Sequence, residues 1–402
     1  MKTTVTFYPV DNGDCNLIEV ENGPKILWDC KFRKTAENEE NEDYDVINEL
    51  TTSKLSKKKG LPFVDAFILS HADKDHCHGF KDKIYHGDPA DITDEDKKAG
   101  KILIGELWYS PRVLLEENMS DDATAFKKEA ERRLELYRSN PAEANKDGNR
   151  LRIIGYADDQ DLLDVADLVY VPGTKLSHVN GISYNNFRMF IHSPFKDMIE
   201  GADRNETSIA MQFRFDFDQK HPDAGKLILA GDAEWRVWEK IMSVNKEDEN
   251  LHWNLFEAPH HCSWTFFSDD RERGDMNQAS IDFLDMREEN AFIVSSSKYI
   301  SHMDSNPPCL KAKNCYVECV GKDHFVCTGG NKNGDTPSPI RFVLEKDGFR
   351  VQADAATEAK LESLRNTTAI IRSGEARIDR NGNIQATIGL THKPHNFYAE
   401  NS

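Results

Sequence analysis

No run of roughly 18 or more apolar residues occurs in the sequence, so no membrane-crossing helix is expected. The first residues, MKTTVTFYPVDNGDC, lack an apolar leader core, and no export signal is expected there. A basic excess is also missing. Lys plus Arg number 51 against 70 Asp plus Glu, a net charge of −19, which argues against a stand-alone nucleic-acid binder. Bound cations can nevertheless make an acidic site attractive to phosphate. Eight cysteines in 402 residues are too few for a disulfide scaffold, and reduced thiols in a cytoplasm are the expectation. Cys309, Cys315, Cys319, Cys327 and His324 lack the paired C-x₂-C spacing of a structural zinc site.

What is present is a strand-rich chain with 38% hydrophobic residues. Residues 5–10, 15–20 and 25–29 alternate around turns at Asn12-Gly13 and Asn22-Gly23-Pro24, which predicts two hairpins in series. A helix is expected over 43–57 and a buried strand over 64–69. Residues 81–165 are rich in Asp, Lys and Glu and are read as a helical insertion broken by a short strand at 105–110. Strands return at 168–171, 187–191, 207–217, 226–229, 254–258 and 291–294, with helices at 233–242 and 278–286. Strands then helices, twice over, predict an α/β fold of two face-to-face sheets with helices outside. Hairpin signals in 337–402 predict a β-rich C-terminal extension to a main domain at 1–336.

The chemistry centres on His71-Ala72-Asp73-Lys74-Asp75-His76, directly after the apolar strand. Imidazole nitrogens and carboxylate oxygens suit zinc or manganese. The spacing splits the four ligands, with His71 and Asp73 on one side and Asp75 and His76 on the other. Two adjacent ions follow, each needing ligands from later in the chain. Asp232 ends the strand Leu227-Ile228-Leu229 and is placed to bridge. His260 and His261 follow Leu255-Phe256-Glu257-Ala258-Pro259; His192 follows Phe190-Ile191; His302 follows Tyr299-Ile300-Ser301. His78 and His86 fall outside this set.

These segments resemble the metallo-β-lactamase-fold hydrolases, whose mark is H-x-H-x-D-H after a strand; here Asp73 replaces the second His. The similarity is greatest to the soluble ComEC-type hydrolase domain. It extends to Asp11-Asn12-Gly13-Asp14-Cys15, Ile26-Leu27-Trp28-Asp29, Asn205-Glu206-Thr207-Ser208-Ile209, Leu229-Ala230-Gly231-Asp232 and Ala258-Pro259-His260-His261-Cys262-Ser263. Cys262 stands where the family has Gly. The resemblance implies an αββα four-layer sandwich and two divalent ions. His71, Asp73 and His192 would serve one ion, Asp75, His76 and His260 the other, with Asp232 bridging.

The family chemistry implies a phosphodiesterase or nuclease acting through a metal-bridged hydroxide. Asp75 would orient that hydroxide, and His302 or His261 would protonate the departing oxygen. Arg204 and Lys298 are candidate phosphate contacts. Two other readings stand beside it. One is a hydrolase of small esters, lactones or thioesters on the same fold. The other is a metal-binding subunit of a bacterial defence complex, docking a protein partner through 81–165.

Overall fold

The computed structural model describes residues 2–38, 41–157, 162–201, 203–245, 247–272, 274–302, 306–330, 334–352, 376–378 and 384–386. The chain is mixed α/β and divides into two compact units, 1–351 and 352–402. The described part of the second unit is one antiparallel pair, Ala376–Ile378 with Ile384–Ala386.

The first unit holds two large sheets. The first runs in the order Gly348–Val351, Ile340–Glu345, Thr4–Phe7, Asn16–Glu19, Lys25–Trp28, Leu61–Ile68, Leu103–Tyr109, Arg150–Ile154, Val169–Tyr170. Its hairpin half is antiparallel. From Lys25–Trp28 onwards its pairings are parallel. The second sheet runs Lys175–Leu176, Phe187–Ser193, Ala210–Phe215, Gly225–Leu229, Trp253–Glu257, Arg287–Ser295, Phe325–Cys327. It too turns from antiparallel to parallel, at Gly225–Leu229. Parallel pairs need long crossovers, which explains why the helices Asp121–Ser139, Trp235–Val244, Gln278–Asp285 and Leu310–Val320 each connect neighbouring parallel strands.

Three large apolar clusters and a small one around Leu61, Phe63, Tyr85 and Leu103 follow from side-chain alternation along these strands. One joins the two sheets, with Val5, Ile18, Trp28 and Ile68 from the first meeting Met189, Ile191, Phe213 and Leu229 from the second. The Trp28 and Phe213 rings meet edge to face at 5.9 Å. A second cluster sets Leu27, Val64 and Phe67 against Phe126, Ala130 and Leu134 of the helix Asp121–Ser139. A third sets Ile228, Phe256 and Ile293 against Val237, Trp238, Phe283 and Tyr316. Each buried Phe or Leu contributes roughly 1.5–3 kcal/mol.

Two boundaries differ from expectation. Ile340–Glu345 pairs with Thr4–Phe7, so the first unit runs past 336 to Val351. Residues 81–165 are not an insertion over the core. They supply two strands of the first sheet, and Leu103–Tyr109 is buried along its whole length. The charge of their helix misleads, because Glu129 and Arg133 turn inward and pair at 2.7 Å. Arg133 also donates to the carbonyls of Ile104 and Arg150 at 3.2 and 2.8 Å, fastening helix to sheet. That inward face is not open to a docking partner. No described helix is long and apolar enough to cross a membrane.

Candidate metal centre

Strand ends from both sheets converge on one buried cluster. Leu61–Ile68 leads into Ser70 and His71; Gly225–Leu229 leads into Asp232; Trp253–Glu257 leads into His260 and His261. The hairpin between Thr4–Phe7 and Asn16–Glu19 brings in Asp14. The Ile209 N–H donates to the Ser70 carbonyl at 2.9 Å, and the His260 N–H to the Gly231 carbonyl at 3.1 Å, tying these loops together.

Ligand atoms of Asp14, His76, Asp232 and His261 all lie within 4.8 Å of one another, and all four residues are buried. Asp232 Oδ1 is 3.1 Å from His76 Nε2 and 3.6 Å from His261 Nε2. His261 Nδ1 is 3.3 Å from Asp14, and its Nε2 is 3.3 Å from Asp75. The other oxygen of Asp232 faces a second group. Its Oδ2 is 3.8 Å from His71 Nε2 and 3.5 Å from His260 Nε2. Asp73 Oδ2 is 3.8 Å from that same His71 nitrogen.

The donor set fits a divalent cation on a structural criterion. His71 Nε2, His76 Nε2, Asp232 Oδ1 and both nitrogens of His261 are buried without a hydrogen-bond partner among the described residues. Buried polar atoms are costly to leave unpaired, so these five orphans around Asp232 form a set that could take up a cation. The outward nitrogens are held from behind. His76 Nδ1 pairs with Asp29 at 2.8 Å, His71 Nδ1 with Ser70 Oγ at 3.1 Å, and His260 Nδ1 with Thr265 Oγ1 at 3.1 Å. Such partners fix the tautomer and aim the free nitrogen. Asp29 is itself fixed by the Ser70 N–H and hydroxyl at 2.7 and 2.6 Å.

Electrostatics agree. Burial would depress His76, but Asp232 and Asp29 outweigh it and hold its pKa well above the imidazole range. Against the same burial, Asp232 and Asp14 raise His261 to about 10. Burial, with His76 beside it, lowers His71 to about 4. Burial opposes ionisation of Asp232, yet the surrounding imidazoles keep its carboxyl well below the usual range. Three close carboxylates thus demand positive charge, which protons or a metal can supply.

Local backbone serves the site at a cost. His260, His261 and Cys262 are consecutive left-handed residues with φ of 50°, 53° and 67°. Strain of about 1–3 kcal/mol is typical for each such position. Gly231 has φ 50°, and a Cβ there would lie 2.7 Å from the Ser70 side chain.

The structure brings together His71, Asp73, Asp75, His76, Asp232, His260 and His261. It corrects the sharing of the histidine pair. His261, not His260, sits in the four-residue cluster with His76, while His260 and His71 both approach the other oxygen of Asp232. His192 does not join. Ile191 points into the inter-sheet core, so the pleat turns His192 to the opposite face, where its Nδ1 is 3.4 Å from the Asn245 amide. Burial lowers His192 to about 3. His302 is exposed and outside the cluster. Its loop is nonetheless tied to the first hairpin, since Asn12 accepts from the Lys298 N–H at 3.1 Å and donates to the Pro307 carbonyl at 3.0 Å. Arg204 pairs with Asp73 and Glu116, each at 2.9 Å, and is committed there.

Asp14 and Asp29 are the residues that ligand spacing missed; Asp14 lies in the first hairpin and Asp29 directly after the strand Lys25–Trp28. His78 pairs with Asp122 and His86 with the Lys81 carbonyl, away from the cluster. The eight cysteines are free thiols. Cys315 meets Met276 and Cys319 the Leu284 carbonyl, so they do not converge on one ion. No protein-family model matches the chain, and no curated protein matches it in sequence.

Proposed function

We propose that this protein is a metal-dependent phosphodiester hydrolase built on the αββα sandwich of the metallo-β-lactamase-fold hydrolases. The three large apolar clusters, one between the sheets and one outside each, support that layering. The observation that carries the function is Asp232, which presents opposite carboxylate oxygens to two groups of histidines. Two divalent ions, zinc or manganese, suit this arrangement. His71, Asp73, His260 and Asp232 would hold one; Asp14, Asp75, His76, His261 and Asp232 would hold the other. Bound there, they supply Lewis acidity that acidifies water and offsets charge on the transition state.

The chain's own residues do the rest. Asp75 is about a third exposed while touching His261, so it reaches both the cluster and solvent. It orients the attacking water. His261 is buried among carboxylates and serves as a holder rather than an acid. The exposed His302, on the loop tied to Asn12, is the residue to protonate the leaving oxygen. Arg204 neutralises Asp73 and keeps that carboxylate turned toward His71.

The test is elemental analysis followed by assays on bis-p-nitrophenyl phosphate, single-stranded DNA, a lactone and a thioester. Phosphodiester cleavage abolished by Asp75→Ala supports the reading. Turnover of only the lactone or thioester, or bound metal with no turnover of any substrate, overturns it.

A further inference from the structure

A cavity of about 530 Å³ opens beside Asp75 and is lined by Lys31, Arg33, Lys34 and Lys74. Four cations around one space are conspicuous in a chain of net charge −19. Two of them are already neutralised, Arg33 by Asp11 and Asp43 and Lys34 by Asp82. The other two are not. Lys74 is exposed and has no ion pair among the described residues. Lys31 is half-buried, and its ammonium donates to the uncharged carbonyl of Asn12. The Lys298 N–H donates to the side chain of the same Asn12. A half-buried ammonium with no carboxylate at ion-pair distance among the described residues leaves room for an anion to share the space.

We propose that this cavity is a subsite for a second phosphate of the substrate, adjacent to the one cleaved at the metal centre. The proposal rests on the phosphodiester reading and sharpens it. The substrate class is a nucleotide chain with at least two phosphodiesters, either an open strand or a cyclic dinucleotide. Among the described residues no Phe, Tyr or Trp lines the cavity, and the His78 ring there is held by Asp122 at 3.1 Å, so it offers no large stacking platform for a base. Recognition is therefore of backbone phosphate and indifferent to base sequence.

The probe is a fluorescein-labelled phosphorothioate hexathymidylate, which resists cleavage, titrated against the zinc-loaded full chain. Lys74→Glu tests the exposed cation alone, and Lys31→Ala/Lys74→Ala removes both, with metal content measured in each. The double variant should bind at least about tenfold more weakly. Its slope of log Kd against log salt should be shallower by about 1.4, at about 0.7 for each lost contact to a single strand. Its loss in kcat/KM should be at least about tenfold larger on hexathymidylate than on bis-p-nitrophenyl phosphate, which has a single phosphate. Competition by unlabelled hexathymidylate or by cyclic di-adenylate identifies which source the site prefers, and either satisfies the proposal. Binding unchanged in both variants, or no binding by the wild type, overturns it. Cleavage with unchanged binding removes the subsite and leaves the phosphodiesterase. Lysine-dependent binding without cleavage of any phosphodiester removes the phosphodiesterase and leaves the subsite.

Discussion

The Asp232 carboxylate lies 3.1 Å from His76 Nε2, both residues are buried, and both facing atoms lack a hydrogen-bond partner among the described residues. A cation between them would satisfy both. Asp232→Asn keeps the shape and removes the charge. We expect it to lose most of the metal measured by elemental analysis. Free zinc at a hundred times its Kd should stabilise the wild type by about 2.7 kcal/mol, read as a rise in Tm. The variant should show little of that rise. Full metal content in Asp232→Asn would remove the bridging role.

Gly231 sets the position of that carboxylate. Its φ of 50° and a would-be Cβ 2.7 Å from Ser70 leave no room for a side chain. Gly231→Ala should cost about 1–3 kcal/mol of stability and reduce metal content through displacement of Asp232. Gly100→Ala is the control. It has a similar φ of 64° but nothing within 4 Å, so it carries the backbone penalty without the clash or the metal loss. Equal behaviour of the two variants in denaturation and metal content would contradict the close-approach argument.

Much of the site is legible along the chain because each apolar strand runs straight into its ligand. Val64–Leu69 precedes His71, and Leu227–Leu229 precedes Asp232. The facing of His192 is not legible. Phe187–Ser193 is buried on both faces, so no polar alternation shows which side holds the ligand. The division of labour between His260 and His261 depends on three consecutive left-handed residues, which non-glycine side chains do not announce. Asp14 is remote in sequence from His71 and reaches the cluster only through hairpin pairing. The core role of 81–165 is not legible either, because a buried Glu–Arg pair has the same i,i+4 spacing as a solvated one.

That pair gives a direct stability test. Arg133 is buried, contacts Glu129 and caps two strand carbonyls. Arg133→Met should destabilise by about 1–3 kcal/mol in urea denaturation, because two buried strand carbonyls lose their donor while Glu129 keeps only Arg132 as its cation. A cost below about 1 kcal/mol, the range of a solvated pair, would return the segment to the surface.

His192 separates structural from ligating histidines by pH. Its folded pKa is lowered to about 3 by burial, whereas an unfolded imidazole titrates near 6.5. Above about pH 6.5 both states are neutral and the group has no effect on stability. As pH falls from about 6.5 toward 3, the unfolded chain takes up a proton that the folded chain refuses. Stability then falls by up to about 1.4 kcal/mol per pH unit from this group alone. His192→Gln should flatten the decline of urea-derived stability between about pH 6.5 and 4.5 and leave metal content at the wild-type level. His260→Ala should do the reverse on the second measurement and lower metal content at neutral pH. A metal-poor His192→Gln protein would restore His192 to the ligand set and displace His260 from it.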